Sequence, residues 1–241
     1  MSKPIYEPKG KAKEYGDLAI NIYTGCPHRC FYCFAPNVLH RQKDEFHSCV
    51  EPRKDIVAEV KKQLDKEQIK GKLIHLCFTC DPYPTGYDTT PTREIIKAIK
   101  ESGNNVQILT KNGTDAIRDF DLLDENDLFG ITYTGYPIGE FSNTPTSERC
   151  ADTALNRLRA LKIAKDKGIK TWVSCEPVVC ADDIIELIQF ADYIDFWKIG
   201  KMNYHPSEIN WKEFGIKAER FLKTHKRNYY IKDSLREEMN K

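Results

Sequence analysis

A strand–helix alternation running through most of the chain constrains its fold more than any other feature. Short apolar runs at Leu18–Tyr23, Leu73–Cys77, Val106–Leu109, Leu128–Tyr133, Thr171–Ser174 and Tyr193–Ile199 read as buried strands. Helical patterns lie between them. One runs from Pro52 to about Glu67, with Ile56, Val57, Val60 and Leu64 at helical spacing. Thr90-Pro91 opens a second, which turns Ile95, Ile96 and Ile99 inward. Further helices are expected over Ala116–Leu123, Ser147–Lys167 (stopped by Gly168), Asp182–Phe190 and Trp211–Thr224. Asn228–Lys232 reads as a short seventh strand. Strands that alternate with helices join as parallel βαβ units. The pattern predicts an α/β protein with a partial (β/α)6 TIM-like barrel, and a flavodoxin-like open sheet is the alternative. No composition shift divides the 241 residues. One domain is expected: a polar arm over 1–16, a barrel core over 17–200, and a C-terminal helix with a last short strand over 201–241.

Barrel enzymes place their chemistry at the carboxyl ends of the strands. Here each apolar strand finishes in polar groups: Thr79-Cys80-Asp81, Thr110-Lys111-Asn112, Thr132 with Thr134, Ser174-Cys175-Glu176 and Lys198 with Lys201. Burying such groups costs several kcal/mol unless they meet partners. A shared polar ligand accounts for the whole set, where any one of them alone could simply be a wet strand end.

The first strand leads into Cys26-Pro27-His28-Arg29-Cys30-Phe31-Tyr32-Cys33. Three thiols spaced Cys-x3-Cys-x2-Cys can converge on one metal centre. Structural zinc normally takes four protein ligands, and His28, His40 or His47 would supply the fourth in a zinc knuckle. Iron–sulfur clusters usually take four cysteines, so three leave one iron open. Lys plus Arg number 37 against 36 Asp plus Glu, so no global field points to nucleic acid or an acidic membrane. No apolar run approaches the ~18 residues of a membrane span, and the first residues lack a signal-peptide stretch. Nine cysteines then read as reduced thiols in a cytoplasmic protein, where clustering favours metal binding over disulfides.

The cysteine spacing, with an aromatic before the last cysteine, resembles the radical S-adenosylmethionine (SAM) enzymes. That resemblance implies the radical SAM form of the partial barrel. It implies a [4Fe–4S] cluster on Cys26, Cys30 and Cys33, with SAM chelating the fourth iron and Tyr32 near the adenine. It also implies an external one-electron donor of flavodoxin or ferredoxin type. Reductive cleavage of SAM would give a 5′-deoxyadenosyl radical that abstracts hydrogen from a substrate. Asp81 with Thr79 or Cys80 would take the SAM ammonium, Lys111 its carboxylate and Thr132 its ribose, with Glu176 a further polar candidate. Within these enzymes the chain is most similar to the spore photoproduct lyase group. The likeness lies at Pro8-Lys9-Gly10, Cys26–Pro36, Thr79–Tyr83, Ile108–Lys111 and Ser174–Pro177. It implies a DNA or RNA lesion, or a nucleotide, as substrate. Modification of a peptide or small metabolite is the rival within the enzymes, and a non-catalytic zinc-binding module is the rival outside them.

That lyase group uses a cysteine near the second strand as hydrogen donor. Cys80 is the candidate here, while a regular strand would point Cys77 to the opposite face. His75 reads as a satisfied core histidine. Cys49, Cys150, Cys175 and Cys180 read as buried or incidental. Lys212, Lys217, Arg220, Lys223, Lys226, Arg227 and Lys232, with Trp211, Tyr229 and Tyr230, form either a nucleic-acid face or the solvated side of a last helix.

Overall fold

The computed structural model describes residues 3–135 and 148–241. Eight strands form one sheet in sequence order. They are β1 (Ile5–Tyr6), β2 (Leu18–Ile20), β3 (Leu73–Leu76), β4 (Asn105–Thr110), β5 (Leu128–Thr132), β6 (Lys170–Cys175), β7 (Phe196–Ile199) and β8 (Asn228–Ile231). From β2 to β8 every pairing is parallel, with registers such as Leu18↔Ile74 and Ser174↔Lys198. That is the expected barrel, seventh strand included. It is open rather than closed, since the sheet runs from β1 to β8 without joining its ends. The sequential order rules out the flavodoxin-like alternative, whose strand order reverses at a switch point.

The alternation along the strands explains what is buried where. Ile74, Leu76, Val106, Ile108, Phe129, Ile131, Val173, Trp197 and Ile199 face the helices and are fully buried. His75, Gln107, Thr132, Trp172, Ser174 and Lys198 take the opposite face, towards the barrel interior. The outer ring comprises α3 (Ile56–Lys66), α4 (Thr90–Glu101), α6 (Ala154–Asp166), α7 (Ala181–Phe190) and α8 (Trp211–Thr224). Two short helices, α1 (Ala35–Val38) and α2 (Lys43–Ser48), follow the cysteine loop. The expected helix over Ala116–Leu123 is α5 (Gly113–Ala116) continuing as a 3-10 turn over Ile117–Leu122.

Three boundaries differ from the sequence reading. Pro52 does not open α3; it bridges to Tyr23, and the helix begins at Ile56. The expected start at Ser147 lies outside the described residues; α6 begins at Ala154, where the Thr153 hydroxyl accepts from Asn156 N–H. A last helix, α9 (Asp233–Met239), follows β8 and was not expected.

The arm is more ordered than its composition suggests. Ile5–Tyr6 pairs antiparallel with β2, and Gly10–Tyr15 forms a 3-10 helix. The arm's end then clasps the far edge of the open sheet. Glu14 accepts from Asp233 N–H at 3.0 Å and the Tyr230 hydroxyl at 3.1 Å, and it pairs with Lys232 at 3.0 Å. Lys198 Nζ donates to the Glu14 carbonyl at 2.6 Å. Side chains and turns thus join edges that backbone ladders do not.

Candidate active site

A cavity of about 650 Å³ opens inside the barrel, a size typical of small-molecule and cofactor sites. Its lining joins two sets of residues. Tyr32, Thr79, Asp81, Lys111 and Thr132 form one end; Tyr15, Glu176, Lys232, Lys201, Asn203 and Tyr204 form the other. Cys77 and Cys80 also line it.

The cysteine loop is seated by close backbone packing. A Cβ at Gly25 would stand 2.3 Å from the Phe46 carbonyl, so only glycine lets α2 approach so near. Phe46 O accepts from Cys26 N–H at 3.2 Å, and His47 Nδ1 lies 2.7 Å from Cys26 O. On the other side Cys30 bridges to Glu148, and Cys150 N–H donates to His28 O. All three loop thiols are free, and burial pushes each of them up, Cys30 to about 12. Metal binding must therefore release protons. Among the described residues no three Cys, His, Asp or Glu side chains are already gathered at metal-holding distances. His28 turns to Thr85 Oγ1 (3.1 Å) and Asp81 (3.4 Å), and His47 to the backbone. Three thiols on one loop, with no fourth donor gathered on them among the described residues, suit a cubane with one open iron.

Around the loop the charges are arranged closely. Lys111 Nζ lies 3.3 Å from Thr132 Oγ1 and 5.8 Å from the centre of the Tyr32 ring. Burial works to lower its pKa, but Cys30, Glu148 and Asp81 outweigh that and raise it, so Lys111 stays a cation. Tyr32 donates its hydroxyl to Glu148 Oε1. Glu148 in turn pairs with buried Arg157 at 2.5 Å, and Arg157 donates to Thr132 O at 2.9 Å. Sequence reasoning missed Glu148 and Arg157. Arg157 sits on an otherwise ordinary helix, and nothing local marks it as buried.

Asp81 accepts from Thr110 Oγ1 (2.6 Å), Lys111 N–H (2.8 Å) and Tyr83 N–H (2.9 Å). It locks the ends of β3 and β4 together, and little of its acceptor capacity is left over. Thr79 Oγ1, by contrast, is buried beside the cavity with no hydrogen-bond partner among the described residues. The Thr79 backbone is held by Asn21, whose Oδ1 accepts from Phe78 and Thr79 N–H.

Glu176 belongs to the other end. Its Oε2 accepts from the Tyr15 hydroxyl (3.0 Å) and Lys232 Nζ (2.5 Å), and its Oε1 from Asn203 (3.1 Å). A Cβ at Gly200 would come within 2.9 Å of the Glu176 side chain. The carboxylate is thus built into a clasp more than 20 positions beyond its own strand in either direction.

Two expectations are corrected here. Cys77 continues the inward face of His75, and Cys80 lies beyond the strand's end at Leu76, where the two-residue alternation no longer applies, so both line the cavity. His75 is buried and stacks on Phe78 at 4.3 Å, but neither ring nitrogen makes a hydrogen bond of ordinary geometry among the described residues. Burial, then the Lys198 charge, pushes its pKa down to about 3. On the C-terminal stretch, Lys217 pairs with Asp182, Arg227 donates to Ile188 O, and the Tyr229 and Tyr230 hydroxyls bond to Glu219 and Glu14. Of the remaining cysteines, Cys49 and Cys150 are exposed, Cys175 is buried and Cys180 is partly so.

Comparison with known proteins defines the class. Residues 20–192 match the radical SAM superfamily, and the chain belongs to it. Its cofactors are therefore a [4Fe–4S] cluster and SAM. The fold is similar to spore photoproduct lyase: a variant with bound AdoMet and dinucleoside spore photoproduct superposes with a TM-score of 0.66 at 14% identity, covering 93% of this chain and 78% of that one. Streptococcus suis SuiB bound to SAM gives 0.63 at 12%, over 88% of this chain and 49% of that one. Among sequence relatives, an uncharacterized protein of Methanocaldococcus jannaschii is 28% identical over 225 residues, covering 92% of this chain and 78% of its own length. One from Acidianus two-tailed virus is 30% identical over 190 residues; they span 73% of this chain and 62% of the viral protein. Among the described residues no helix is long and apolar enough to cross a membrane.

Proposed function

We propose that the chain is a radical SAM enzyme acting on a nucleic-acid lesion or nucleotide held in the 650 Å³ cavity. When bound, the cluster supplies the electron that cleaves SAM, and the resulting radical abstracts hydrogen from the substrate. Cys26, Cys30 and Cys33 hold the cluster. Lys111, kept charged beside Thr132, meets the SAM carboxylate. The free Thr79 hydroxyl accepts from the SAM ammonium, with Asp81 acting mainly by fixing the loop. Tyr32, tethered to Glu148, walls the adenine.

The observation that carries the substrate class is the makeup of the outer end. Lys9, Lys11, Lys201, Tyr204 and Phe34 all line the cavity, so cations and planar rings share its wall. Lys11 lies 5.3 Å from the Tyr204 ring centre, and Tyr204 is 82% exposed. Phosphates and unstacked bases are recognised by that combination. An external one-electron donor and a reducing cytoplasm are part of this reading.

The test is anaerobic reconstitution followed by reaction with reductant, SAM and deuterated oligonucleotides. Deuterium appearing in 5′-deoxyadenosine supports the proposal. Transfer from peptides but not oligonucleotides would move the substrate to the SuiB type, whose structure with a precursor peptide shares this fold. A colourless protein carrying stoichiometric zinc and cleaving no SAM would count against enzyme function.

A further inference from the structure

Cys77 has no role in the reading above and Cys80 enters it only as a single thiol, yet the two lie three positions apart in one wall. The peptide carries them as Cys77-Phe78-Thr79-Cys80, a Cys-x-x-Cys spacing at the end of a βαβ strand. In a reducing compartment that spacing in that context points to thiol redox chemistry. The structure adds three facts. Both residues line the central cavity. Only three positions separate them where the chain leaves β3 at Leu76. Cys80 is the more open of the two, and its Sγ accepts from the Tyr23 N–H at 3.4 Å, while Cys77 is 6% exposed.

We propose that Cys77 and Cys80 form a dithiol–disulfide couple in the cavity wall, with Cys80 the attacking thiol and Cys77 the resolving one. The Tyr23 N–H stabilises negative charge on the Cys80 sulfur, and Arg53 adds to it. Burial raises both thiols, but hydrogen bonds from Cys77 and from the backbone of Tyr23 and Ile22 bring Cys80 below the ordinary thiol value; Cys77 stays well above it. The lower thiol is the better populated nucleophile, and the higher one waits as a protonated partner.

The partner is a small disulfide that fits the cavity. The Cys80 thiolate attacks one of its sulfurs; that S–S bond breaks and one thiol leaves. Cys77 then loses its proton and attacks the Cys80 sulfur, forming the internal disulfide and releasing the second thiol. The protein loses two electrons and two protons, and the small disulfide takes up both. Reduced, the couple presents an S–H bond to the chamber, the group a carbon radical takes hydrogen from; that use rests on the radical reading above. Oxidised, it withdraws it.

The test uses anaerobic, full-length protein of measured iron and sulfide content, equilibrated over a series of reduced-to-oxidised glutathione ratios. Free thiols are trapped by alkylation and the tryptic peptide Leu73–Arg93 is weighed; it contains these two cysteines and no others. The expected result is joint loss of both thiols with a single midpoint, the peptide lighter by two hydrogens and free of glutathione. In Cys77→Ser, Cys80 should accumulate instead as the mixed glutathione disulfide. Wild-type thiols that stay alkylatable at every ratio, or that take up glutathione independently, overturn the proposal. Disulfide formation in protein that assembles no cluster leaves the couple standing and counts against the radical reading alone. Full SAM cleavage with no coupling between Cys77 and Cys80 does the reverse.

Discussion

The two ends of the cavity are built on opposite logics. At the cysteine end, the Thr79 hydroxyl makes no hydrogen bond among the described residues and the loop thiols are free, beside a cation kept charged by its neighbours. At the clasp end, nearly the whole polar inventory is engaged: Tyr15, Glu176, Lys232, Glu14 and Asn203 bond to one another. The first end offers groups to a ligand, and the second ties the barrel's open edge together. The cysteine end also lies within the stretch matching the superfamily, residues 20–192, whereas Glu14, Tyr15, Asn203 and Lys232 fall outside it.

The sharpest test of this contrast is Cys33→Ala. It should abolish cluster incorporation and with it SAM cleavage, while leaving the fold's melting temperature in the apo protein nearly unchanged. Normal iron and sulfide content would break the assignment of that end. Next is Lys232→Met, which strips a 2%-exposed cation from two carboxylates. Removing one partner of a buried ion pair costs about 3–5 kcal/mol. Thermal or urea unfolding should show that loss in the apo protein, and an unchanged midpoint would show that the clasp does not hold the edge.

Lys111→Ala should keep the cluster and weaken SAM binding by roughly 10- to 100-fold, the loss of one charge-assisted contact of about 1.5–3 kcal/mol. Calorimetry on reconstituted protein checks this; unchanged affinity would remove Lys111 from the cofactor end. The smallest effect is a pH dependence. His75 binds its proton near pH 3 folded and near 6.5 unfolded, so between those values the unfolded chain holds more protons. Stability should therefore fall as pH drops below about 6.5, by at most about 1.4 kcal/mol per unit. His75→Phe should flatten the curve over that window, and an unaltered slope would mean that His75 is not neutral in the barrel floor.

Much of the fold is legible in the chain because it rests on local periodicity. Each parallel strand is an apolar run whose outward side chains, such as Ile108 and Val173, must be buried, and each long helix shows its stripe within a dozen residues. Arm and clasp were not legible. Gly10–Tyr15 carries no buried residue and no apolar pattern, and its order comes from Glu14 meeting Lys232 and Asp233, over 200 positions away. Cys77 was misplaced because strand alternation was carried past the strand's end to Cys80, whose backbone no longer follows it.

Sequence alone determined the partial barrel, the three-thiol loop and the polar strand ends, since each is written in spacings of a few residues. Only the tertiary structure decided which polar groups are committed and which are free. Asp81 is engaged by three donors and Glu176 by three more, Thr79 makes no hydrogen bond among the described residues, and Cys77 and Cys80 share the cavity wall. Hydrogen-bond partnership reaches across hundreds of positions, and no local pattern encodes it.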